Sequence, residues 1–189
     1  MQRLYKPLVF AGAFLWAGLA GLQAGTEVPV TDDLAVDAAQ SSRSRLPIML
    51  VFTGAVCSYC DELEEEIIKP MLLSGDYTDK VIIRKLVVDN GSRVTGFSGQ
   101  RIDTADMAHE YGVYVTPTIL FVGPDGYQLA ERMVGINTVE MFGGYLDQCI
   151  ESALRRLREP VKGAMEPACK LEHRRPSDSN PAGFNPATT

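Results

Sequence analysis

Apolar and polar positions alternate along the chain in patterns that outline one α/β domain. Residues 47–53 form a short, almost continuous apolar run, which is typical of a strand buried on both faces. A turn at 124–126 predicts a hairpin near the end of the domain. The predicted strands cover residues 47–53, 81–88, 113–122 and 127–134.

Helical spacing appears between and around these runs. The apolar positions from Cys57 to about Leu73 predict a helix that Pro70 kinks or ends, and residues 89–102 are predicted to be a polar loop. A further helix is predicted after a cap at Thr31-Asp32-Asp33, with an apolar stripe of Leu34, Ala35, Ala38 and Ala39, and two more cover residues 103–111 and 138–158. The order β-α-β-α-β-β-α predicts an α/β fold with a mixed central sheet and helices on both faces, preceded by an extra N-terminal helix.

The first 24 residues have the features of a secretory signal peptide. Arg3 and Lys6 precede a short run of apolar residues and glycines, and the segment ends in a small residue at Ala24. We expect cleavage after Ala24 and a periplasmic location. The run is shorter than the roughly 20 residues that span a bilayer, but two alternatives stay open: a buried core helix, or an uncleaved anchor, which would be the one source of membrane contact.

The remaining chain divides by composition. Residues 25–44 are predicted to be a linker and the N-terminal helix, residues 45–158 the main domain, and residues 159–189 a flexible proline-rich tail. The formal net charge is −6 and the sequence contains no nucleic-acid-binding motif, so we expect no nucleic-acid partner.

Cys57 and Cys60 are the candidate reactive pair, because they follow a predicted buried strand and begin a helix. Unpaired N–H groups and the helix dipole at that position favour a thiolate, and the spacing allows a disulfide to close within one turn. Cys57 would be the exposed nucleophile and Cys60 the resolving thiol one turn deeper. A zinc half-site, a structural disulfide or a chance pair stay open, although the chain offers no second ligand pair; we expect no metal and no cofactor.

Thr116 and Pro117 interrupt an apolar strand, where a proline costs a ladder hydrogen bond. A cis peptide bond at this position would expose the preceding backbone for pairing with a substrate segment. A bulged edge strand is the alternative.

The ordered set of these motifs over roughly residues 45–158 resembles the thioredoxin superfamily. The resemblance implies a thioredoxin fold, Cys57 as nucleophile, Cys60 as resolving thiol, and Thr116 with a cis Pro117 as substrate-positioning residues. Val51 lies where thioredoxin carries a buried acid, which points to a narrower range of partners. Within the superfamily the chain is similar to exported SoxW-like reductases and to the C-terminal domain of DsbD. This implies exported disulfide proteins as partners and a membrane electron donor of the DsbD or CcdA type.

The other two cysteines are candidates for a structural disulfide. Cys149 lies on the apolar face of the last predicted helix, and Cys169 lies in the tail. In an oxidising compartment they could pair and hold the tail on the domain. A buried free Cys149 and an intermolecular link through Cys169 are the alternatives.

The sequence therefore predicts a thiol-disulfide oxidoreductase, with a dithiol reductase as the leading hypothesis. The same cysteines could serve a disulfide oxidase or isomerase, according to their redox potential. A binding module or redox-sensitive chaperone that uses the fold without turnover is the hypothesis from a different class.

Overall fold

The computed structural model describes residues 27–136 and 139–159. The predicted signal peptide and the tail from residue 160 onward lie outside these ranges. The helices are α1 (Leu34–Ser44), α2 (Ser58–Leu63), α3 (Lys69–Ser74), α4 (Thr104–Glu110) and α5 (Val139–Arg158), with a π-helical segment, Glu64–Ile68, between α2 and α3. The strands are β1 (Ile48–Thr53), β2 (Ile82–Val87), β3 (Arg93–Thr95), β4 (Arg101–Asp103), β5 (Thr118–Val122) and β6 (Met133–Val134).

Four strands form the central sheet in the order β2-β1-β5-β6. Strand β1 pairs in parallel with β2 and antiparallel with β5, so that Ile48 lies opposite both Ile82 and Val122. Every residue of β1 is buried, as its continuous apolar run predicted. The mixed sheet of the predicted thioredoxin fold is confirmed.

Alternate residues of β1 pack into two hydrophobic clusters, one on each face of the sheet. On one face Val51 belongs to the cluster of Leu63 in α2 and Leu146 in α5. On the other face Phe52 belongs to the cluster that includes Leu34 in α1. Because successive side chains of a strand point to opposite faces, this strand requires helices on both sides.

The N-terminal helix α1 begins after Asp33, whose side chain accepts hydrogen bonds from the backbone N–H groups of Ala35 and Val36 at 3.0 and 3.1 Å. The residues before it lie along the outer edge of β2, where Lys85 donates its N–H to the carbonyl of Pro29 at 2.8 Å. The end of the predicted linker therefore covers a sheet edge that would otherwise be exposed.

The prediction of a polar loop at 89–102 was wrong in part. Strands β3 and β4 form a small antiparallel hairpin there, with Val94 opposite Ile102. Val94 is fully buried in the core, while Arg93 beside it is exposed. The alternation is only three residues long, so the many polar and glycine residues around it hid the strand signal.

The predicted strand 127–134 is shorter than expected. Only Met133–Val134 pairs regularly with β5, apart from one isolated bridge between Val122 and Gln128. Arg132 donates hydrogen bonds to the carbonyls of Tyr111 and Gly112 at 2.7 and 3.1 Å. These bonds tie this stretch to the end of α4 instead of to a continuous ladder.

The helix after Cys57 widens into the π-helical segment just before Pro70, which stands in the first turn of α3. Proline has no N–H for the carbonyl four residues back and its ring crowds that carbonyl, so the chain departs from α geometry at this point. The predicted kink thus takes the form of a π turn. No helix within the described ranges is long and apolar enough to cross a bilayer.

Gly126 is a point of close approach in the hairpin between β5 and β6. Its φ is +79°, and a Cβ there would lie 2.9 Å from the Phe97 ring and 2.9 Å from the hydroxyl of Tyr111. That hydroxyl donates to the Gly126 carbonyl at 2.9 Å. Burial raises the pKa of Tyr111 to about 12, and the carboxylates of Glu110 and Asp125 add to the shift.

Candidate redox site

The two motif cysteines are joined where β1 leads into α2. Gly54, Ala55 and Val56 turn the chain, and Cys57 is the N-cap of the helix, where its sulfur accepts the N–H of Cys60 at 3.2 Å. The Cys57 and Cys60 sulfurs form a disulfide of 2.11 Å, with their Cα atoms 5.2 Å apart. The pair therefore occupies the first helical turn, as the sequence predicted.

The two sulfurs differ in their access to solvent. Cys57 is half-buried, whereas Cys60 is only 2% exposed. An incoming thiolate or disulfide can reach Cys57 from outside, whereas Cys60 faces the interior. This asymmetry is the one that a nucleophile and a resolving thiol need.

Thr116 and Pro117 lie beside the disulfide. Their peptide bond is cis, and the Thr116 hydroxyl donates to the Cys57 sulfur at 3.6 Å. The carbonyl of Pro117 accepts the N–H of Gly135 at 2.8 Å, which fixes the turn from its far side. The structure thus brings all four predicted site residues together.

Cys149 lies on the core face of α5 and is 2% exposed, in the cluster that packs below the sheet. Cys169 lies outside the described residues. The pairing of Cys149 with Cys169 stays a prediction.

Four exposed apolar side chains lie within two residues of Cys57 or Thr116 in the chain and form what we term the apolar rim. The apolar rim consists of Val56, Tyr59, Tyr114 and Val115, with exposed fractions of 98%, 61%, 77% and 55%. Val56 and Tyr59 flank Cys57 in the chain, and Tyr114 and Val115 precede Thr116. Side chains of this kind concentrated around a reactive group favour contact with another chain.

Asp89 is part of the site, although the sequence analysis did not single it out. It follows β2 at the edge where β1 also ends, and its carboxylate accepts the N–H of Ala55 at 2.6 Å. The other carboxylate oxygen lies 3.3 Å from the position of a Cβ on Gly54. The same position is 3.4 Å from the Cβ of Cys57 and 3.4 Å from the Thr116 hydroxyl oxygen. A polar residue directly after the strand parallel to β1 was the available signal.

Five acidic residues follow the motif, and one of them is largely buried: Asp61, Glu62, Glu65 and Glu66 are exposed, whereas Glu64 is not. Glu64 accepts a hydrogen bond from Lys85 at 2.9 Å, and the two side chains are only 13% and 17% exposed. Lys85 lies opposite Val51 in the register of β1 with β2. The pair therefore lies between helix and sheet, one turn after Cys60.

In the part of the chain that the structure describes, no group of three His, Cys, Asp or Glu side chains could hold a metal ion.

The chain is similar to proteins of known family and known structure. A family model described as a thioredoxin-like domain matches residues 33–150. A search of curated proteins finds no match. Among solved structures, thioredoxin O2 from Arabidopsis thaliana in its oxidized state is 22% identical, with a TM-score of 0.43 over 64% of this chain and 93% of that chain. A thioredoxin from Nicotiana alata is 24% identical, with a TM-score of 0.43 over 65% of this chain and 97% of that chain.

Proposed function

Because the chain belongs to the thioredoxin-like domain family and carries the bonded cysteine pair of a thiol-disulfide oxidoreductase, we propose that it is an exported dithiol reductase. Cys57 is the nucleophile and Cys60 the resolving thiol. The observation that carries this assignment is the difference in access between a half-buried Cys57 at the helix start and a buried Cys60.

The proposed cycle has two exchanges. The Cys57 thiolate attacks one sulfur of a partner disulfide, so that a Cys57–partner bond forms, the partner bond breaks and the second partner sulfur leaves as a thiolate. Cys60 then loses its proton to solvent and attacks Cys57. The first partner sulfur leaves as a thiolate, and both partner thiolates take up protons. Two electrons pass from the cysteine pair to the partner, and the pair is left in the bonded state that the structure describes.

The apolar rim supports a disulfide-containing polypeptide as the partner. Exposed aromatic and aliphatic side chains near a reactive sulfur can bury apolar surface against an extended segment of another chain. Because the Thr116 hydroxyl donates to the Cys57 sulfur, a segment that pairs with the backbone of Thr116 would lie close to that sulfur. Exported proteins with disulfides are the proposed class of partner.

The location and the electron donor rest on sequence features and on resemblance. The signal-like first 24 residues support export to the periplasm, and the likeness to SoxW-like proteins and to the DsbD C-terminal domain supports a membrane donor of the DsbD or CcdA type. If the signal is cleaved after Ala24, N-terminal sequencing of the exported protein begins at Gly25. A membrane-bound product that still carries residues 1–24 would contradict cleavage.

The assignment of the two cysteines can be tested by insulin reduction with dithiothreitol as electron source. The Cys57→Ser variant should lose turnover. The Cys60→Ser variant should instead accumulate a mixed disulfide with the substrate, because the first exchange proceeds and the second cannot. Unchanged turnover in Cys57→Ser would refute the nucleophile.

The direction of exchange can be tested by equilibration with glutathione. A potential of the Cys57/Cys60 pair near about −270 mV is expected for a reductase, whereas a value near about −120 mV would identify an oxidase.

A further inference from the structure

We propose that Asp89 is a positioning residue that holds the turn before Cys57 and makes the reduced pair a stronger reductant. The proposal rests on the function proposed above, and it adds a group that favours exchange in the direction of partner reduction. Two observations carry the inference. The Asp89 carboxylate accepts the N–H of Ala55 at 2.6 Å, and its other oxygen lies 3.3 Å from where a Cβ on Gly54 would stand.

The first role of Asp89 is mechanical. The hydrogen bond to Ala55 joins the end of β2 to the turn that follows β1, two residues before the nucleophile. Gly54 makes the approach possible, since a Cβ there would be confined between Asp89, Cys57 and Thr116 at 3.3 to 3.4 Å. The sulfur of Cys57 is therefore held at the helix start and within reach of the Thr116 hydroxyl.

The second role of Asp89 is electrostatic. A carboxylate close to Cys57 opposes the charge of its thiolate, but it has no such effect on a neutral disulfide. It therefore raises the free energy of the reduced pair relative to the oxidised pair. A dithiol destabilised in this way gives up its two electrons more readily, so the charge favours reduction of partners.

The other charges near the motif do not cancel this effect. Asp61 and Glu62 follow Cys60 on exposed positions of α2, and both are negative. Glu64 is engaged by Lys85. Across the described ranges, no lysine or arginine forms an ion pair with Asp89. The field at Cys57 from these carboxylates is thus unfavourable to a thiolate, in opposition to the helix dipole.

The test compares Asp89→Asn with Asp89→Ala in the full chain. The Asn side chain keeps an oxygen for the Ala55 N–H but removes the charge, whereas Ala removes both. Asp76→Asn is the matched control, because this exposed aspartate precedes β2 at the opposite edge of the sheet. The rate of Cys57 alkylation by iodoacetamide is followed against pH, and the Cys57/Cys60 pair is equilibrated with glutathione.

In Asp89→Asn we expect the alkylation profile to move to lower pH and the equilibrium constant for forming the disulfide to fall about threefold to tenfold. This equals a rise in potential of about 15–30 mV. The shift should shrink in high salt, because the charge is exposed. Asp89→Ala should show the same shift and, in addition, a lower rate of insulin reduction.

An unchanged profile in Asp89→Asn would overturn the proposal, as would an equal shift in Asp76→Asn, which would reflect net charge alone. Both readouts are taken on the thiols themselves. A shifted profile in a protein without insulin turnover would therefore leave Asp89 in its role and reject the reductase.

Discussion

Replacement of Lys85 by methionine should lower the free energy of unfolding, because it removes the amine of the Lys85–Glu64 ion pair. Lys85→Met keeps most of the side-chain length but leaves the Glu64 carboxylate without its partner at 13% exposure. Truncation of one member of a fully buried pair costs about 3–5 kcal/mol, whereas exposed pairs contribute about 0–1 kcal/mol. At this partial exposure we expect a loss of about 2 kcal/mol in the free energy of unfolding.

The assay is urea denaturation of the oxidised protein, followed by far-UV circular dichroism. Lys69→Met is the matched control, because Lys69 pairs with Glu65, whose side chain is 62% exposed, and solvent can replace that contact. The double variant Lys85→Met with Glu64→Gln should recover part of the loss, since no charge is then left unpaired. Equal losses in Lys85→Met and Lys69→Met would refute the reasoning that burial of Glu64 sets the cost.

Three further outcomes are expected. Gly126→Ala should lower the free energy of unfolding by about 2–3 kcal/mol. Gly99→Ala should lower it by only about 1 kcal/mol, because φ is also positive there, at +81°, but nothing lies near the new Cβ. Equal losses in urea denaturation would show that the crowding at Gly126 does not matter. Stability contributed by Tyr111, whose pKa is raised to about 12, should be present below pH 10 and lost as pH rises toward 12, so Tyr111→Phe should flatten that decline in alkaline denaturation curves; an unaltered slope would contradict it. Peptide mapping of the non-reduced exported protein should find Cys149 linked to Cys169, and Cys169→Ser should then cost about 3 kcal/mol; a free thiol at both positions would exclude the disulfide.

The central elements could be predicted from sequence because their signals are local. The continuous apolar run of β1 and the cysteines directly after it specify a buried strand that leads into a helix, and the structure has both. The cap of α1 and the stop of α4 at Gly112, with φ of +65°, follow from side chains and glycines next to the helix ends. Local composition was sufficient for these features.

The elements that were missed depend on contacts between distant parts of the chain. Val94 is a strand residue because it is buried against the core, and nothing in its three-residue run distinguishes it from a loop. Glu64 resembles its acidic neighbours in sequence, and only the register that places Lys85 beneath the helix separates it from them. Asp89 belongs to the site because the parallel pairing of β1 with β2 places it beside the turn at Ala55, whose N–H it accepts.

The direction of β5 explains why the site can exist. The carboxyl ends of parallel strands lie at one edge of a sheet, and this brings Asp89 to the turn before Cys57. Thr116 precedes β5, so it would lie at the opposite edge if β5 ran parallel to β1. Because β5 is antiparallel, with Thr118 opposite Phe52, its amino end meets the carboxyl end of β1. The Thr116 hydroxyl reaches the Cys57 sulfur for this reason.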